Sequence, residues 1–205
     1  MLGIYNYTVI LTYLGLLSGF GGIVCAADGS LRGALLCLMV SGVCDMFDGK
    51  IASTMPRTKK EKRFGVQIDS LSDLICFGAL PALLTYKAGG GGLMVIPAAL
   101  YVLCALIRLA WFNVDEEERQ GREDGRRKVY FGLPVTFAAL IFPLYFALGT
   151  KYQWNFRTLG AALLLVTAAA FLTPFRLRKP SPHRKKDDYD LQSLLDAEYI
   201  REREA

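Results

Sequence analysis

Six apolar stretches follow one another through the chain, at residues 9–26, 31–52, 64–86, 93–114, 131–149 and 156–175. Each is long enough to cross a hydrocarbon layer roughly 30 Å thick, which takes about 17 to 25 helical residues. Few folds are open to such a chain. In lipid every backbone N–H and C=O must be paired within the structure, which leaves helices and closed barrels, and the alternating ten-residue segments of a barrel are missing. The pattern predicts an all-α polytopic membrane protein with six transmembrane helices in one bundle. An apolar content of 53% agrees, because soluble domains hold nearer to about 45–50%.

The formal net charge is +5, but the basic residues are not gathered into the single patch of a nucleic-acid binder. They sit at alternate ends of the stretches. Arg57, Lys59, Lys60, Lys62 and Arg63 follow the second; Arg119, Arg122, Arg126, Arg127 and Lys128 follow the fourth; Arg176, Arg178, Lys179, Arg184, Lys185 and Lys186 follow the sixth. The opposite connections hold Arg32, Lys87 and Lys151. By the positive-inside rule both termini are expected in the cytoplasm, and the first apolar stretch, lacking a basic n-region, reads as a spanning helix rather than a cleaved signal.

Residues 1–179 are expected to form one membrane domain and 180–205 a polar cytoplasmic tail. In that tail Leu191, Leu194, Leu195 and Tyr199 share a helical face, with Asp190 placed to cap it. Residues 115–128 mix acids and bases and read as a solvated loop, and the glycine run after Ala88 reads as a hairpin. Cys25, Cys37, Cys44, Cys76 and Cys104 fall inside apolar stretches and read as small buried hydrophobes.

Four acids interrupt this apolar pattern. Asp45 and Asp48 lie in the second stretch, Asp69 and Asp73 in the third. A carboxylate inside a spanning helix costs roughly 2.5 to 3.5 kcal/mol on insertion scales, so the four call for compensation of about 10 kcal/mol. Spacings of three and four residues put each pair on one helix face. The second stretch ends where the third begins, so Asp48 stands about 6 Å of rise before one helix end and Asp69 about 7 Å after the other start. The pairs are therefore expected at matching depth near the cytoplasmic boundary, where hard oxygen donors suit Mg²⁺ or Mn²⁺. Gly49, Ala52 and Gly65 are small residues beside the acids and leave room for a polar ligand or for helix packing.

The ordered set Asp45-x-x-Asp48-Gly49-x-x-Ala52, then Gly65-x-x-x-Asp69-x-x-x-Asp73, resembles the signature of the CDP-alcohol phosphatidyltransferases. Two departures stand out: Ser53 occupies a position where the family commonly has arginine, and the interval from Ala52 to Gly65 is longer than the common form. Arg57, Lys62 and Arg63 are the nearby substitutes for that arginine. The run Asp69-Ser-Leu-Ser-Asp-Leu-Ile-Cys-Phe-Gly78, the segment Arg108-Leu-Ala-Trp-Phe-Asn113 and the turn Tyr130-Phe-Gly-Leu-Pro134 are most similar to the membrane-embedded phosphatidylserine synthase branch.

That resemblance implies transfer of a phosphatidyl group from CDP-diacylglycerol to L-serine, with CMP as second product, in a homodimer whose active site faces the cytoplasm. It implies Asp45, Asp48 and Asp69 as metal ligands and Asp73 as general base, with Asp73 also within reach of the metal. It places the nucleotide against Gly49, Ala52 and Gly65, with Thr12 beside them. Arg108 is a candidate partner for a phosphate or the serine carboxylate, or it snorkels to the interface. Two alternatives stay open: another acceptor alcohol, such as glycerol phosphate or inositol phosphate, and a divalent-cation transporter, which would spread its polar residues through the membrane depth.

Overall fold

Helix boundaries in this chain follow local chemistry more closely than hydropathy. The structure, a computed structural model, describes residues 3–52, 54–121, 129–131, 133–173 and 176–178. Helix α1 (Tyr7–Ala27) and helix α2 (Leu31–Ala52) are joined by a turn in which Gly29 takes a φ of +80°. Helix α3 (Lys59–Asp73) begins on a capping box. The Thr58 hydroxyl accepts from the Glu61 N–H at 3.2 Å, and the Glu61 carboxylate accepts from the Thr58 N–H at 2.8 Å. This Thr-x-x-Glu signature starts the helix at Lys59, ahead of the expected residue 64.

Without a break α3 passes into a wide π-turn, Leu74–Ala79, and then into α4 (Leu80–Ala88). Gly90, Gly91 and Gly92 have φ values of +80°, +70° and +61°, left-handed conformations that only glycine adopts cheaply. They reverse the chain into α5 (Val95–Gly121). This helix runs past the expected end at 114, so residues 115–121, read above as loop, are helical. Polarity alone does not end a helix, because Glu, Gln and Arg are good helix formers; the described part of α5 ends at Gly121. Exposed Glu117 in this extension meets Arg63 of α3 at 3.1 Å.

Pro134 delays the next rod. Helix α6 (Ala138–Lys151) follows a 3₁₀ turn, Val135–Phe137, rather than starting at 131. Helix α7 (Phe156–Leu172) starts on Asn155, whose side chain accepts from the N–H groups of Arg157 and Thr158, and stops short of Pro174 instead of reaching 175. Strand β1 (Val129–Phe131) pairs antiparallel with β2 (Arg176–Arg178), a three-residue ribbon on an otherwise all-α fold. The expected tail helix at 190–199, Ser53 and residues 122–128 lie outside the described residues.

Among the described residues, Val9–Ala27, Lys59–Ala88 and Gly92–Glu117 are long and apolar enough to cross a membrane, and Val135–Lys151 and Phe156–Leu172 are shorter apolar helices. With 22 residues, α2 is about 33 Å long and has the length, but Arg32, Asp45, Asp48 and Lys50 lower its hydropathy. Leu14, Leu17 and Phe20 of α1, Leu36 and Val43 of α2, and Leu140 and Leu144 of α6 all face outward, the surface that a bilayer covers. This is an integral membrane protein.

Inside, α1 packs along α2, and α5 along α7. The core centres on Tyr101 of α5, fully buried, with the rings of Phe142 and Phe171 at 5.6 and 5.4 Å between centroids. Gly19 of α1 faces Cys76 so closely that a methyl group would not fit between them. The five cysteines are free thiols, Cys76 buried and the others half-buried.

Candidate active site

Asp45 and Asp48 of α2 and Asp69 and Asp73 of α3 converge, as their spacing predicts. One carboxylate oxygen from each of Asp45, Asp48 and Asp69 lies within 4.8 Å of the other two. Asp73 adjoins this trio: it is 9% exposed, and its carboxyl is within hydrogen-bond reach of Asp45, as that of Asp48 is of Asp69. Thr12 of α1 donates its hydroxyl to Asp48 at 3.1 Å. The two pairs do not sit at the equal distances from their helix ends that the sequence had predicted. Because α3 starts at Lys59, Asp69 lies about 15 Å along it, so α3 projects beyond the end of α2 and the acids still meet.

Carboxylates this close repel unless a proton or a cation sits among them. Oxygens bound to one small divalent cation at about 2.0–2.1 Å stand roughly 3 to 4 Å apart, so the trio needs only small side-chain adjustments to hold one. All donors in it are hard oxygens. The residues present fit a divalent metal.

Two cavities flank the cluster. One, of about 150 Å³, is lined by Thr12, Asp48, Gly49, Ala52, Arg57, Gly65 and Asp69. It gathers four residues that the sequence singled out for the nucleotide. A methyl group added to Gly49 would meet nothing within 4 Å, whereas at Gly65 it would lie 3.2 Å from the Arg57 guanidinium. Arg57 thus stands over Gly65, held there because it directly precedes the capped start of α3. Among the three cations weighed as substitutes for the arginine missing at Ser53, Arg57 is the one that lines this cavity; Lys62 and Arg63 are exposed and Arg63 pairs with Glu117.

The second cavity, of about 200 Å³, opens on the other side of Asp69 and is lined by Asp45, Ser70, Asp73, Arg108, Phe112 and Thr136 among others. Arg108 lies over the Phe112 ring, 5.9 Å from its centroid. Ser70 donates to Asn113 at 2.7 Å, and Asn113 to Gln67 at 3.4 Å, so both ends of the Arg108-to-Asn113 segment serve this side of the site. A third, apolar groove of about 420 Å³ lies between α2 and α6, walled by Met39, Val43, Met46, Phe137 and Leu140. Asp45 and Thr136 line this groove and the second cavity alike, so the two adjoin at these residues. The sequence reading missed Ser70, Phe112 and Thr136. Their only signal was position: Ser70 beside Asp69, and Thr136 two residues after Pro134.

The chain is 30% identical over 165 residues to an archaetidylserine synthase of Methanothermobacter thermautotrophicus, covering 80% of this chain and 65% of that protein's length. It is 29% identical to a CDP-diacylglycerol–serine O-phosphatidyltransferase of Helicobacter pylori, covering 94% of this chain and 78% of the relative. A Saccharomyces cerevisiae protein of the same name is 36% identical over 104 residues, 49% of this chain and 37% of the relative. The family model for CDP-alcohol phosphatidyltransferase matches residues 5–173, from ahead of α1 to the end of α7. With carboxylates, flanking cavities and sequence match in agreement, the chain belongs to the CDP-alcohol phosphatidyltransferase family.

Proposed function

We propose that this protein transfers the phosphatidyl group of CDP-diacylglycerol to the hydroxyl of L-serine, forming phosphatidylserine and CMP. The observation that carries this reading is the placement of four carboxylates between two small cavities, with an apolar groove beside one of them. The chemistry needs those parts. A diphosphate must be held and its charge neutralised, a small polar acceptor must reach its phosphorus, and two acyl chains must stay in hydrocarbon.

Asp45, Asp48 and Asp69 would hold the metal, Mg²⁺ or Mn²⁺, with Asp73 adjoining them. When bound there, a divalent cation would supply the positive charge that offsets the diphosphate. Gly49, Ala52, Gly65 and Thr12 border the CDP moiety, and Arg57 supplies the fixed positive charge beside it. Asp73 takes the proton of the serine hydroxyl as its oxygen bonds to the lipid-linked phosphorus. The bond from that phosphorus to the bridging oxygen breaks, and CMP leaves with the electron pair. Arg108 shares the Asp73 cavity and pairs with the serine carboxylate. That cavity is below the roughly 300–1,000 Å³ of sites for drug-sized ligands, a size that suits a small acceptor. The groove between α2 and α6 receives acyl chain.

The active site and both termini face the cytoplasm in this reading, all six rods span the bilayer, and the protein is a homodimer. Purified protein given CDP-diacylglycerol with serine, glycerol 3-phosphate or inositol phosphate in parallel should release CMP with serine alone. Release with another acceptor would reassign the substrate, and none at all would remove the reaction. The transporter alternative is disfavoured because the acids form one cluster, and beyond Asp73 the rod through Ala88 carries Lys87 as its only charged residue. Arg57→Gln should raise the KM for CDP-diacylglycerol about tenfold or more, in line with roughly 1.5–3 kcal/mol for a hydrogen bond to a charged group, and leave the KM for serine nearly unchanged.

A further inference from the structure

The rod that carries Asp69 and Asp73 contains a feature that the reaction above does not use. Immediately after Asp73 the helix widens into the π-turn Leu74–Ala79, in which Leu80 N–H reaches back to the Ile75 carbonyl. Two residues after the turn stands Pro81. Proline has no N–H, so it can donate neither to the carbonyl of Phe77, four residues back, nor to that of Cys76, five back. Its ring also crowds the carbonyl four residues earlier, which a wider turn relieves. In the α-register the Phe77 carbonyl looks to residue 81 for its donor, where proline has none, and a buried carbonyl short of a donor is costly; here one arrives from another helix. The hydroxyl of Tyr101 on α5 donates to the Phe77 carbonyl at 2.7 Å. Tyr101 and Phe77 are 0% and 1% exposed, so water does not compete for this bond.

Such wide turns inside α-helices are found frequently at functional sites. The lower part of this rod is fixed by its packing: Phe77, Leu80 and Leu84 are all buried. An α-helix turns about 100° per residue, so loss of a one-residue widening would swing the other side of the turn by a large angle. That side bears Asp73, directly adjacent, and Asp69.

We propose that Tyr101 is a positioning residue for Asp73: by replacing the donor that Pro81 lacks, its hydroxyl holds the wide turn that aims the Asp73 carboxyl at the second cavity. This deepens the reading above and rests on Asp73 as the base. Tyr101 touches no substrate, and its ring packing against Phe142 and Phe171 is kept by phenylalanine.

The test is Tyr101→Phe, which removes the hydroxyl and little else. With serine and CDP-diacylglycerol the variant should show a kcat about tenfold or more lower, because small misplacements of catalytic groups are expensive, with both KM values within about twofold of wild type. Pro81→Ala restores a backbone donor below Phe77. In that background Tyr101→Phe should lower kcat by less than about twofold, because the two positions act on one carbonyl. Wild-type kcat in Tyr101→Phe, or multiplicative effects of the two changes, would overturn the proposal. An experimental structure of Tyr101→Phe tests it without turnover. The turn at 74–79 should be altered and the Asp73 carboxyl displaced; an unmoved Asp73 is contrary evidence. Failure of the underlying reading is distinguishable: wild-type protein would then release no CMP, or Asp73→Asn would remain active.

Discussion

Asp73→Asn is expected to lower the rate of CMP release from CDP-diacylglycerol and serine by about 10²–10⁴-fold, the usual contribution of a general base. The substitution keeps the shape of the side chain and an oxygen acceptor and removes the basic oxygen. It also removes one of four mutually repelling carboxylates from a buried position. The folded protein should therefore survive with a thermal midpoint at or above that of the wild type. CMP release in detergent micelles gives the rate, and fluorescence of Trp111 and Trp154 on heating gives the stability. Near-normal turnover in this variant would mean that some other group accepts the serine proton. Loss of folding would mean that the Asp73 carboxylate is a structural anchor.

Metal removal should have the other large effect. Exhaustive chelation is expected to reduce CMP release to background, with full return on adding Mg²⁺ or Mn²⁺. Asp45, Asp48 and Asp69 bring three carboxyl groups into one small volume, and unless a cation or protons offset it their mutual repulsion acts against the folded state. At a free metal concentration one hundredfold above its Kd, binding adds about 2.7 kcal/mol of apparent stability. Chelated protein should accordingly melt earlier, and Asp69→Ala should need more metal for half-maximal rate. Turnover that persists after chelation would leave the carboxylate cluster without its assigned role.

Much of this was legible in the sequence because lipid enforces simple rules. Apolar stretches had to be helices, and acids three or four apart had to share a face, so the meeting of Asp45, Asp48 and Asp69 could be anticipated. Gly49, Ala52 and Gly65 flank the acids and line one cavity with them, joined there by Thr12, which the family resemblance had implied. Hydropathy gave the bounds of α2 to the residue and of α1 to within two, but was a poor guide to the ends of several later rods. The start of α3 is set by Thr58 and Glu61, a polar capping signal outside the apolar window, and α5 continues through charged residues that helices accept readily. The π-turn was hidden because its cause is divided between Pro81 and a tyrosine on another helix. Arg57 was weighed only as one of three nearby cations; its position over Gly65 depends on the loop that brings α3 back to α2, which no spacing rule describes.

The two cavities share Asp69 and otherwise have separate linings. In the proposed reaction, donor and acceptor then sit on the two sides of Asp69 and occupy the site together. Kinetic order follows from that layout: transfer proceeds through a ternary complex, without a detached phosphatidyl group parked on a protein side chain between two half-reactions.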